Sequence, residues 1–145
     1  MFTGEYYYNI DEKGRMFVPT EFRSILGDKI IVNRGIEKCL YIYSIKEWEK
    51  ISSEVSNLAV THKNNRQFSR MFFSGAFIKE IDAKGRVNIE NILIEYACLE
   101  KECVFVGAGA RIEIWNKESW LNEFQSNQEL LEEISETIEL RKNEE

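Results

Sequence analysis

The chain has 145 residues, 43% of them hydrophobic and 30% charged, and a formal net charge of −6. This length and composition fit one soluble globular domain or two paired half-domains, and exclude a disordered chain. No apolar run approaches the roughly 20 residues that span a bilayer, and Glu5, Asp11 and Glu12 stand where a secretory leader is basic and then apolar, so a cytoplasmic protein is expected.

In chain order, aromatic and β-branched residues flank Lys13 and Gly14, which predicts strands over Tyr6 to Ile10 and Arg15 to Val18 with a turn between them. Pro19 ends the second strand, and a short helix opens at Thr20, expected as its cap. Strands near 30–33 and 40–43 precede a helical stretch from about Lys46 to Phe73. Its apolar residues Trp48, Ile51, Val55, Leu58 and Ala59 recur at three and four residues, and Asn64 with Asn65 is expected to interrupt it. Strands over 77–81 and 87–89, a helix near Ile92 to Leu99, strands over 104–106 and 112–115 and a last helix from about Lys117 complete the series. Leu130, Leu131, Ile134 and Ile138 give the final segment an apolar stripe with an acidic outer face, expected to pack on its own domain rather than on a partner. Lys142 to Glu145 are expected to fray.

This order of elements is written twice. Asp11, Lys13, Gly14 and Arg15 recur as Asp82, Lys84, Gly85 and Arg86, 71 positions later. Leu40 to Tyr43 echoes Ile112 to Trp115, and Trp48 echoes Trp120. Self-similarity at one long period marks duplication. The fold class is therefore α+β, with two β-β-α-β-β-α modules: residues 1–74 with a helical extension, residues 75–120, and an acidic amphipathic helix over 121–145.

The repeated turn has a local logic. An aspartate accepts hydrogen bonds from amides just ahead of it, and glycine supplies a positive φ. Asp11 and Asp82 thus organise the turns, while Lys13, Arg15, Lys84 and Arg86 project from them. Two related cationic sites on one molecule suit a regular polyanion; the competing reading is an Asp–Arg pair that only locks a hairpin. Lys63, Arg66 and Arg70 fall within about 60° on a helix and are read as a solvated face.

The negative charge does not oppose this reading, because residues 121–145 hold eight acidic and two basic side chains, while residues 1–120 carry 17 of each sign. Cys39, Cys98 and Cys103 cannot all pair and lack C-x-x-C spacing, and His62 is the single histidine, so reduced thiols and no metal site are expected. There is no P-loop and no G-x-G-x-x-G. Cys39 or Cys98 with His62 lacks any orienting motif, so no catalytic residue, cofactor or small-molecule substrate is expected. Most aromatic residues, including Tyr6, Tyr7, Tyr8, Phe72 and Phe73, are read as core or subunit contacts.

Together, Met1 to Gly4, the turn from Asp11 to Arg15, Val18 to Thr20, Arg23, Arg66, Arg70, Phe72, Phe73, Gly75, Ala76, Asp82, Gly85, Arg86 and Glu113 to Trp115 resemble the MraZ family. The resemblance covers residue 1 to about 120. It implies an AbrB-like fold, with both repeats forming a swapped-hairpin β-barrel in one chain, and a homo-oligomeric ring. It also implies a non-enzymatic transcriptional regulator associated with the nucleoid, acting on direct repeats of double-stranded DNA upstream of the division and cell wall gene cluster. Lys13, Gly14, Arg15, Lys84, Gly85 and Arg86 are then the expected DNA-binding residues. The alternative is an oligomeric protein-interaction scaffold without specific DNA binding. Glu90 departs from the pattern, standing where the first copy has Pro19, and is expected to relax the next helix start and put an acid near the second turn.

Overall fold

Alternation along the strands sets the layers. In Lys29–Arg34 (β3), Ile30 and Val32 enter one cluster and Ile31 the other; in Leu40–Ser44 (β4), Leu40 and Ile42 part from Tyr41 and Tyr43 in the same way. Both faces of the sheet are therefore buried, as the period of two requires when each face meets a further layer. The computed structural model describes residues 1–139. The remaining elements are β1 (Glu5–Asn9), β2 (Arg15–Phe17), α1 (Thr20–Leu26), α2 (Ile45–Ser56), α3 (Lys63–Ser74), β5 (Phe77–Glu80), β6 (Arg86–Asn88), α4 (Asn91–Tyr96), β7 (Glu102–Gly107), β8 (Ile112–Asn116) and α5 (Lys117–Glu136).

Six strands form an antiparallel sheet in the order β1-β7-β8-β4-β3-β5, while β2 and β6 pair only with each other. The two repeats exchange strands. The first strand of each copy pairs with the third of the other, β1 with β7 and β5 with β3, and the second and fourth strands pair with their own counterparts. The expected closed barrel does not form: β1 and β5 remain separate edges, and the three-residue β2–β6 ribbon folds over one face of the sheet, adding Met16 and Val87 to the larger core. Helices α1 and α4 bury Phe22, Leu26 and Leu93 in that same core. The opposite face carries α2 and α5, whose Trp48 and Trp120 pack on Tyr43 and Trp115.

Capping repeats as well. Ser44 accepts a hydrogen bond from the Glu47 amide at 3.1 Å and Asn116 accepts one from Ser119 at 3.1 Å, starting α2 and α5 at equivalent points. Three further expectations change. Thr20 is the first residue of α1 rather than its cap; Pro19 holds the cap position at φ −50°, and the Thr20 hydroxyl instead accepts from Arg23 at 2.9 Å. The long helix breaks over 57–62, not at Asn64 and Asn65, because its buried face ends at Val55 and Leu58 and Val60 lie exposed. After the break α3 folds back, stacking Phe72 on Trp48 at 4.9 Å.

The third change concerns α5. Its stripe does not pack on its own domain: Leu130, Leu131 and Ile134 are 48%, 63% and 40% exposed, and no residue of α5 is buried. Its first turns supply the hold, through Trp120 on Trp115 and a hydrogen bond from the Trp120 indole to Glu5. Lys142 to Glu145, expected to fray, lie outside the described residues.

Strand exchange predicts that the repeats unfold together. Phe105 on β7 is fully buried beside Tyr8 of β1, so Phe105→Ala should cost about 3–5 kcal/mol. Far-UV circular dichroism and tryptophan fluorescence, which report on Trp48, Trp115 and Trp120 in both copies, should trace one coincident urea transition; two separated transitions would show that the halves fold alone.

Candidate nucleic-acid interface

The two turns have the same construction. In the first, Asp11 Oδ1 accepts from the amides of Lys13 and Arg15, both at 2.9 Å, and Oδ2 accepts from Arg15 Nε at 2.8 Å. In the second, Asp82 Oδ1 accepts from the amides of Lys84 and Arg86 at 2.9 Å, and Oδ2 from Arg86 Nε at 2.9 Å. The Arg15 amide, helped by its side chain, holds the Asp11 carboxyl below the usual carboxylate range, and the Arg86 amide does the same for Asp82. Gly14 and Gly85 sit at φ +80° and +88°, the left-handed region that a side chain resists.

Each turn is clasped by the other repeat. The Val18 amide donates to the Gly85 carbonyl at 2.9 Å, and the Ile89 amide donates to the Gly14 carbonyl at 2.8 Å. The turns therefore lie at the two ends of the β2–β6 ribbon. Within it Met16 and Val87 face the core. Arg15, Phe17, Arg86 and Asn88 alternate with them and share the outer face, with Arg15 opposite Asn88 and Phe17 opposite Arg86. Arg15 and Arg86 are diagonal neighbours, roughly 7–8 Å apart by strand geometry. The Asp–Arg lock and the outward arginines thus coexist: each carboxylate holds Nε and orients the guanidinium whose other nitrogens lie beyond that bond.

The copies differ in what packs above them. An added Cβ on Gly14 would lie 3.2 Å from Ile94 of α4, whereas one on Gly85 would collide with the Arg23 guanidinium from α1. Arg23 and Ile94 occupy matching places 71 positions apart. The second turn therefore gains a cation that the first lacks. Glu90, for its part, does not relax its helix: Pro19 and Glu90 have φ/ψ of −50°/136° and −63°/140°, and α1 and α4 each start at the next residue. Its carboxylate is taken by Lys79 Nζ at 2.6 Å.

All eight expected site residues lie in the two turns and the ribbon that joins them. Sequence reasoning singled out neither Phe17 nor Asn88, and named Arg23 only as part of the family pattern, with no role at the turn. The first two were recoverable from alternation about Met16 and Val87, but nothing local marks Arg23, which reaches its turn through the tertiary fold. Lys63, Arg66 and Arg70 all lie on α3, and Arg66 Nη1 donates to the Val60 carbonyl at 2.8 Å. Burial pushes the Cys39 thiol far up and that of Cys103 to about 11, which keeps both protonated and weakly nucleophilic at neutral pH. No helix among the described residues is long and apolar enough to cross a membrane.

The model of the MraZ protein family, described as antitoxin-like, matches residues 1–71 and again residues 72–142. The chain belongs to the MraZ family. The matched segments are offset by 71 positions, the same displacement that relates the two turns. The MraZ match thus treats as two copies what the structure builds as one interlocked unit.

The depressed carboxyls of Asp11 and Asp82 give a pH signature. Their contribution is fully present above the unfolded carboxylate pKa of about 4 and is lost as pH falls through the lower folded values. A double Asp11→Asn, Asp82→Asn variant keeps one acceptor oxygen for the turn amides and replaces the other, with its charge, by an amide nitrogen that cannot accept from the arginine. Its thermal midpoint should lie below wild type at neutral pH, with the gap closing below about pH 4; a gap that persists there would assign the loss to geometry instead.

Proposed function

We propose that this protein is a sequence-specific, DNA-binding transcriptional regulator that grips DNA through the outer face of the β2–β6 ribbon. The observation that carries the reading is the convergence of Arg15 and Arg86 on that face, each aimed by its aspartate. Membership of the MraZ family, a regulator-type and non-enzymatic family, supports it. A two-stranded ribbon fits the major groove, about 12 Å wide, where an arginine fork meets guanine O6 and N7 or a phosphate. With Nε committed to aspartate, the Nη pair is the end that approaches an acceptor. Lys13 and Lys84, at the turn tips, neutralise backbone phosphates beside it.

Local charge favours the second turn. Asp11, Glu12, Lys13 and Arg15 sum to zero, whereas Asp82, Lys84 and Arg86 sum to +1, with Arg23 above them. The acidic α5 packs on the opposite face of the sheet, away from the ribbon. One ribbon offers a small footprint. In the proposed assembly, a homo-oligomeric ring in the cytoplasm and on the nucleoid, neighbouring copies engage direct repeats upstream of the division and cell wall gene cluster, spaced near one helical turn of about 10 bp.

Fluorescence anisotropy against DNA carrying those repeats tests this reading at two salt concentrations. Arg15→Ala and Arg86→Ala are each expected to weaken binding about tenfold or more, and Lys63→Ala far less. Affinity should fall steeply with salt and with fewer repeats. Equal losses in all three variants would remove the turns from their role, and indifference to a scrambled sequence would move the reading to a protein-interaction scaffold.

A further inference from the structure

The outer face of the ribbon carries four side chains, and duplication has kept only two of them alike. Pairing of Arg15 with Asn88, Met16 with Val87 and Phe17 with Arg86 places a near two-fold axis between Met16 and Val87. That axis exchanges Arg15 with Arg86, and Phe17 with Asn88, each 71 positions apart. One end of the face therefore sets an arginine beside an amide, and the other sets an arginine beside a phenyl ring. Both unlike residues are free of the core. Phe17 is 48% exposed and belongs to neither buried cluster. Asn88 is exposed, its Oδ1 stands 3.7 Å from where a Cβ on Gly14 would lie, and its amide makes no hydrogen bond among the described residues.

Direction on DNA can come only from groups that distinguish one base from another. The two arginines read guanine in the same way at both ends. Phosphate contacts add strength without direction, because the backbone offers the same anions when the ribbon is turned end for end. This holds for Arg23 as well, which lies over Gly85 with Nη2 donating to the Thr20 hydroxyl at 2.9 Å. Asn88 and Phe17 remain. An amide donates and accepts together, the complement of adenine N7 and N6, whereas a phenyl ring offers the apolar contact that suits the thymine methyl group. Cross-strand neighbours have Cβ atoms about 4.5–5.5 Å apart, and base pairs rise about 3.4 Å each. Each of the two therefore reaches the base pair next to the one its arginine meets.

We propose that the ribbon reads a DNA site whose two halves differ, with Asn88 beside Arg15 selecting adenine in one half and Phe17 beside Arg86 selecting thymine at the matching place in the other. Each copy then lies on its site in one direction. This inference rests on the DNA-binding reading above and adds polarity to it. Identical ends would favour a self-complementary site, since protein symmetry is mirrored in the sequence it binds. Unlike ends make reversal unfavourable at both. At about tenfold for each misplaced contact, a reversed ribbon binds on the order of a hundredfold more weakly, the two positions adding.

Selection from a pool of duplexes with a randomised window of about one helical turn, ~10 bp, tests this with wild type and two variants. Wild type is expected to enrich a sequence that is not self-complementary. Phe17→Asn gives both ends the amide and should enrich a self-complementary sequence with adenine in each half; Asn88→Phe should enrich one with thymine in each half. Both positions lie on the exposed face, so circular dichroism and the thermal midpoint should stay at wild-type values. Phe17→Asn removes an exposed ring, and so carries the test alone if the ring added by Asn88→Phe lowers solubility. In anisotropy titrations wild type should prefer its own sequence to the self-complementary adenine version by about tenfold, and Phe17→Asn should invert that preference. A self-complementary wild-type sequence, or folded variants that enrich the wild-type sequence unchanged, would overturn the polarity and leave DNA binding standing. Retention of the pool without enrichment would overturn both polarity and sequence specificity. Failure to retain any duplex at low salt would remove the DNA-binding reading itself.

Discussion

Two backbone hydrogen bonds, from Val18 to the Gly85 carbonyl and from Ile89 to the Gly14 carbonyl, tie the two repeated turns to each other. Each turn is shaped internally by its aspartate, yet its position depends on the other repeat. Both glycines lie in a backbone region that disfavours side chains, and both approach a helix of the opposite copy too closely for a Cβ to enter freely. The clasp closes both ends of the ribbon on which the arginines face outward. A duplicated sequence here builds one ribbon with near two-fold symmetry rather than two separate turns.

The local parts of this design are legible in the sequence because local forces set them. The Asp-x-Lys-Gly-Arg turns, the strand and helix order and the repeat displacement depend on residues a few positions apart, and the structure keeps them. Alternation in β3, β4 and β7 likewise marks two buried faces. What the sequence conceals is pairing between distant elements. Periodicity says that Tyr6 to Tyr8 form a strand but not that their partner is Cys103 to Phe105. Nor does it say that the ribbon leaves the sheet open instead of closing a barrel. Arg23 carries no local signal, because its contact with Gly85 is created only when the second repeat arrives.

Apolar patterning misled in one place for a definite reason. An amphipathic stripe reports that a helix has a face to bury, not where the covering surface resides. In α2 the cover is α3, supplied by the same chain; in α5 none is supplied beyond the first turns. Most of the acidic excess, six glutamates against one lysine, lies on that same helix, whose first turns pack across the sheet from the ribbon. Net charge therefore describes the molecule poorly, and the field near each face describes it better.

Strand exchange also bears on how the protein comes into being. Glu5 pairs with Val106 and Asn9 with Glu102, so the N-terminal strand leaves the ribosome long before its partner exists. At about 5–20 residues per second the interval is on the order of 5–20 s. During it the aromatic run Tyr6 to Tyr8 has no native edge to join, while the β3 edge that β5 later takes stands free both in its own chain and in any neighbouring nascent chain. Translation speed, and the crowding of ribosomes on one message, thus become physical variables in whether this fold closes on itself or on its sibling.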